Sequence, residues 1–139
     1  MPFTTDPQKI DLSTPAGRIC QARQNKKMTI RKLAAAVQMT PEALSMIEHG
    51  KINPSLPRLR KFSEVLGETV EYLGCFEDLP VDTLGQKITK ARLCLGMEKT
   101  EFAKLIGVNQ RSLWGWERDW IKPDTEHKEK LRLFFEGIL

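Results

Sequence analysis

TIRKLAAAVQMTPEALSMIEHGKINP, residues 29–54, reads as two short helices, a tight turn and a stop. Thr29 offers an N-cap to a helix whose buried stripe is Leu33, Ala34 and Val37, at the spacing of one helical face. The pattern breaks at Gln38 and Met39. Thr40 then supplies a second N-cap, with Pro41 in the first helical position, where a missing N–H costs nothing because that donor has no intrahelical partner. Leu44, Ile47 and Glu48 fall on one inward face, and Gly50 lies just past the end. Two helices joined by so short a turn cross steeply and need a small residue at their contact, which Ala34 provides.

The stretch is written twice. A shift of 69 positions without gaps lays Arg23 on Arg92, Met28 on Met97, Ala34 on Ala103, Leu44 on Leu113, Glu48 on Glu117 and Pro54 on Pro123. Ahead of the first copy, Ser13 or Thr14 caps a helix that begins with Pro15 and turns Ile19, Ala22 and Arg23 inward. After it, Ser55 opens a helix with Leu59, Phe62, Val65 and Leu66 inward and Gly67 at its end, followed by a short helix from Glu68 to Leu73. The second copy repeats the plan with Ile88, Ala91 and Arg92, then Phe102, Ala103 and Ile106, a turn at Gly107, a cap at Asn109 and an inward Trp116. Its last helix, Asp124 to about Phe135, buries Leu131, Phe134 and Phe135.

These residues resemble the lambda-repressor/Cro type of helix-turn-helix, the XRE family. The first copy carries the pattern as Arg23, Leu33 and Ala34, Ile47 and Glu48, Gly50, Asn53 and Pro54. The second carries it as Arg92, Phe102 and Ala103, Trp116 and Glu117, and Pro123, but has Asp119 for the glycine and Lys122 for the asparagine. The resemblance implies an all-α fold of two tandem lambda-repressor-like bundles of four to five short helices each. The expected division is an arm at 1–15, a first domain at 16–73, a linker at 74–83 and a second domain at 84–139. It also implies that Arg23 with Glu48, and Arg92 with Glu117, form buried structural ion pairs.

The function it implies is sequence-specific binding of double-stranded DNA by a transcriptional regulator, read as a repressor, with the third helix of each domain in the major groove. The site residues expected from this are Thr40, Glu42, Ser45, Met46, His49 and Lys51 in the first copy. In the second they are Lys99, Asn109, Gln110, Arg111, Trp114, Gly115, Arg118 and Lys122. Gln110 and Arg111 can pair bidentately with adenine and guanine, so the second helix is expected to carry most of the base readout. Trp114 and Trp120 match Ser45 and Lys51 and lie off the buried stripe; Trp114 either meets a partner or folds onto its own loop. Pro41 and Glu42 donate no hydrogen bond to guanine or phosphate, which leaves open an alternative: a protein-binding regulator, such as an antitoxin or an inhibitor of a nucleic-acid enzyme.

Composition is consistent with either reading. Lys plus Arg number 22 against 18 Asp plus Glu, a net +4 that favours a polyanionic partner, while Glu77, Asp78 and Asp82 concentrate acid in the linker. The cysteines, Cys20, Cys75 and Cys94, are odd in number and far apart, which disfavours disulfides and zinc. His49 and His127 lack neighbours at ligand spacing, and no nucleophile, phosphate-loop or metalloprotease motif occurs, so no enzyme, metal or cofactor is expected. No signal-like or membrane-spanning run is present, and the expected location is cytoplasmic, on the nucleoid. The end of the chain, LRLFFEGIL, adds Leu133, Ile138 and Leu139 to its inward stripe, more apolar surface than one bundle covers, so this segment is expected to pack either on the first domain or on a second chain, as a homodimer.

Overall fold

A computed structural model of the protein describes residues 10–138, and no strand occurs among them. The helices are α1 (Pro15–Asn25), α2 (Ile30–Ala36), α3 (Pro41–Glu48), α4 (Leu56–Leu66), α5 (Val70–Leu73), α6 (Leu84–Cys94), α7 (Lys99–Ile106), α8 (Gln110–Glu117) and α9 (Thr125–Ile138). They fall into two compact units that divide after Cys75. Among the described residues no helix is long and apolar enough to cross a membrane.

Side-chain caps start most of these helices where the sequence places them. Thr14, Thr29, Thr40, Ser55 and Thr69 each accept a backbone N–H from the first turn of the helix they precede in the first unit. Thr83, Asn109 and Asp124 do the same in the second. Residues 1–9 of the expected arm lie outside the described residues, but its last part is built into α1. The Asp11 carbonyl accepts from the Thr14 N–H at 3.3 Å, and Arg18 donates from Nε to the Leu12 carbonyl at 2.7 Å. This turn sits so close to α1 that a Cβ on Gly17 would stand 1.8 Å from the Asp11 oxygen.

In the first unit α1 packs on α3, α4 and α5, and α2 on α3, around Ile19, Leu33, Val37, Leu44, Phe62 and Leu73, all fully buried. In the second, α6 packs on α8 and α9, and α7 on α8 and α9, around Ile88, Phe102, Leu113 and Leu131, with Trp116 at the margin. Leu33 and Phe62 in one core stand at the register of Phe102 and Leu131 in the other, so the same two side chains are exchanged and their summed volume is kept. Such a swap is among the best tolerated changes in a close-packed interior.

Backbone sites recur as well. Three left-handed residues of the first unit, Lys27 (φ 56°), Gln38 (60°) and Gly50 (74°), have left-handed counterparts at the same register in the second, Gly96 (69°), Gly107 (87°) and Asp119 (59°). The helix stops are thus fixed in conformation while the glycine moves between copies. A non-glycine there costs about 1 to 2 kcal/mol, and at Asp119 the side chain gives something back. Its Oδ2 accepts from the Thr83 hydroxyl at 2.7 Å and its Oδ1 from the Gly85 N–H at 2.9 Å, so the stop of α8 caps the start of α6. Gly85 makes room for this, since a Cβ there would lie 2.6 to 2.7 Å from the carbonyls of Trp116 and Glu117 and from that carboxylate. The first unit has Ala16 and Gly50 at these places, where a Cβ on Gly50 would just touch Ala16 at 4.0 Å.

Two expectations about the ends need correction. The last helix of the first unit begins at Val70, because Thr69 takes the cap position. Leu133 is not on the inward stripe: it follows fully buried Leu131 by two residues, which carries it round the helix to 61% exposure. There it lines, with Leu105, Ile106, Lys130 and Phe134, a shallow cavity of about 280 Å³. The expected contributions of Leu139 and of the Ile138 side chain lie outside what is described.

Candidate nucleic-acid interface

Each unit aims its third helix by the same lock. Arg23 reaches from α1 to the end of α3, donating from Nε to Glu48 Oε2 at 2.8 Å and from Nη2 to Oε1 at 3.0 Å. Its Nη1 donates to the Met28 carbonyl at 2.9 Å, while the Met28 N–H returns a bond to the Arg23 carbonyl at 3.1 Å. Arg92 makes the matching set in the second unit: Nε to Glu117 Oε2 at 2.7 Å, Nη2 to Oε1 at 3.0 Å and Nη1 to the Met97 carbonyl at 3.1 Å. Fork-to-fork geometry fixes direction as well as distance, so the pair sets the angle of the helix that would meet a ligand. Burial penalises the Arg23 charge, but the hydrogen bonds and charge of Glu48 outweigh that and raise its pKa above the ordinary guanidinium value.

Opposite the lock, the outer faces differ. On α3 and the turn after it, Glu42, Met46, His49 and Lys51 are exposed and Ser45 is half-buried. Thr40 is also exposed, but its hydroxyl oxygen is occupied by the Ala43 N–H at 3.1 Å. His49 Nδ1 lies 2.7 Å from the Ser45 carbonyl, which requires it to carry the proton and leaves Nε2 facing outward. On α8, Gln110, Arg111, Trp114 and Arg118 are exposed along one side, with Asn109 and Lys122 exposed at either end. The side-chain oxygen of Asn109 is taken by the Ser112 N–H at 2.7 Å.

Gly115 does not join this surface. It is buried beneath Ile121, where a Cβ would come within 2.8 Å of that side chain, so its glycine identity serves packing and the site expectation for it is corrected. Lys99 is half-buried in the first turn of α7. That turn also holds Glu101, whose carboxylate accepts the Glu98 N–H at 3.1 Å. Two carboxylates thus occupy the end of a helix dipole that would otherwise favour phosphate.

The corresponding first turn of α2 has no acid and exposes Arg31 and Lys32 beside the Thr29 cap, a pair the sequence reading passed over. A basic pair directly after a helix cap was the available signal. Trp120, also omitted from the expected set, is 67% exposed and stands edge-to-face on Trp114 at 4.8 Å. Trp114 is itself 37% exposed, so it folds against its own loop and still presents surface. Among the described residues no group of His, Cys, Asp and Glu side chains could hold a metal ion.

Comparison with known proteins bears on the first unit. Residues 21–73, from α1 to the end of α5, match the helix-turn-helix family, a match that supports an XRE-type DNA-binding regulatory domain in that segment. No curated protein and no solved structure matches the chain.

Proposed function

We propose that the protein is a sequence-specific double-stranded DNA-binding transcriptional regulator, a cytoplasmic repressor, and that its second unit is a second copy of the domain matched in the first. The recurrence of the arginine–glutamate lock, the left-handed stops and the exchanged core pair supports the duplication. The observation that carries the DNA reading is the stripe of Gln110, Arg111 and Arg118 on α8. All are exposed, and among the described residues neither arginine is engaged in an ion pair. Donors of this kind, presented side by side on a rigid helix, suit base edges in the major groove.

The two units divide the work in this reading. The first, with Arg31 and Lys32 at an open helix start, anchors phosphates, and the second supplies most of the base discrimination. A protein partner is the second reading for α3 alone, because Glu42, Met46 and Ile52 give its surroundings an exposed acidic and apolar face that binds neither phosphate nor guanine. Binding to random-sequence duplex over a salt series tests the proposal. Affinity should fall steeply as salt rises, with a log–log slope of about −0.9 for each phosphate neutralised. Absence of measurable duplex binding at low salt would contradict it.

A further inference from the structure

Arg118 is the C-cap residue of α8, four positions after Trp114 and two before Trp120. Its guanidinium carbon lies 4.5 Å from the centroid of the Trp114 ring and 5.6 Å from that of Trp120. The two indoles meet at an interplanar angle of 86°, which makes a corner in which the guanidinium is seated. The two carboxylates adjacent in sequence do not compete for it: Glu117 is held by Arg92 and the Thr89 hydroxyl, and Asp119 by the Thr83 hydroxyl and the Gly85 N–H.

A guanidinium held over aromatic faces by cation–π attraction has lost much of its rotamer freedom before any ligand arrives, while its in-plane N–H groups stay available. That arrangement suits an acceptor pair lying in one plane, and the guanine O6/N7 edge is such a pair. Arg111, Trp114 and Arg118 follow one another at three and seven positions, so they share one stripe of α8. Along the helix axis the two arginines are about 10 Å apart, close to three base-pair steps of about 3.4 Å. The matched positions of the first unit, Glu42, Ser45, His49 and Lys51, contain no such seat.

We infer that Arg118, positioned by Trp114 and Trp120, reads a guanine about three base pairs from the base met by Arg111. The inference rests on the DNA reading above and adds a base identity and a spacing to it. The test uses the full chain and a duplex carrying its selected site, with each guanine replaced in turn by 7-deazaguanine, which lacks the N7 acceptor. One guanine at the stated spacing should weaken wild-type binding when so replaced, and should stop mattering in Arg118→Ala. Arg118→Ala and Arg118→Lys should each lower affinity for the site about 5- to 150-fold with little change on random duplex. Trp120→Ala should reproduce part of that loss at the same guanine, and Trp120→Phe should restore it.

An equal loss on site and random duplex would assign Arg118 to phosphate and overturn the inference. So would unchanged DNA binding in Arg118→Ala while Gln110→Ala and Arg111→Ala still abolish preference, an outcome that leaves the DNA reading standing and points the seat toward an acidic protein. If wild type shows no preference among sequences, the DNA reading itself fails, and this inference with it.

Discussion

Arg23→Ala is the perturbation whose outcome is most tightly specified by the structure. The Arg23 and Glu48 side chains are both 0% exposed, so truncating the arginine leaves a carboxylate without solvent or partner. Stranding one member of a buried pair costs about 3 to 5 kcal/mol, and the orphaned Met28 carbonyl adds about 1 kcal/mol. A unit of this size holds only about 3 to 10 kcal/mol in all, so most or all of the first unit's stability should go. Arg92→Ala should be milder. Glu117 keeps the Thr89 hydroxyl as a donor at 3.0 Å, whereas Cys20 stands at the matching position beside Glu48's lock, and a thiol is a weaker donor.

Urea unfolding separates the two units because all three tryptophans, Trp114, Trp116 and Trp120, belong to the second. Far-UV circular dichroism of Arg23→Ala should lose an early transition from the first unit's helices, and Arg92→Ala should move the tryptophan emission transition to lower urea. Arg23→Met combined with Glu48→Leu should recover most of the loss, since an apolar pair of similar volume has no charge to desolvate. A midpoint for Arg23→Ala within error of wild type would refute the reasoning.

Other predictions address the core, the cap of α9 and the exposed end. Phe102→Leu should cost about 1 to 2 kcal/mol from the cavity it opens and Leu131→Phe about 1 to 3 from overpacking. The double variant should cost less than their sum in urea unfolding, because it writes the Leu33 and Phe62 arrangement into the second core. The backbone N–H of His127 holds the Asp124 carboxyl below the ordinary aspartate value of 3.8. Its small contribution is therefore present above that value and lost as pH falls below it, so the melting difference between wild type and Asp124→Ala should be seen at pH 7 and shrink in acid. We propose that exposed Leu133 and Leu105 contribute to a homodimer contact. Leu133→Asp should then convert dimer to monomer in sedimentation, and an already monomeric wild type would remove that idea.

Several helix starts were legible because a cap is a local event: Thr29, Thr40, Ser55 and Asn109 each satisfy an N–H three positions on, whatever the rest of the chain does. The arginine–glutamate lock was legible only through resemblance, since no local rule ties Arg23 to a carboxylate 25 positions away. Neither Gln38 nor Lys27 is a residue type that announces a left-handed backbone; local helix-end bonds, Met39 N–H to the Ala34 carbonyl and Met28 N–H to the Arg23 carbonyl, go with it, and the matching glycines at Gly107 and Gly96 are the clue. Gly115 looked accessible because helical spacing says which way a residue faces and not what folds over it, here Ile121. The seat of Arg118 depends on Trp120, which lies beyond the helix in a turn whose path periodicity does not describe.

Selection of bound sequences from random duplex, run in parallel on the wild-type chain and on a variant carrying Gln110→Ala and Arg111→Ala, tests the central claim most directly. The account predicts a clear motif for wild type, with adenine and guanine at adjacent informative positions, and a variant that still binds DNA but loses information at those positions. Recovery of unenriched random sequence by the wild-type chain, or an identical motif from both proteins, would contradict it.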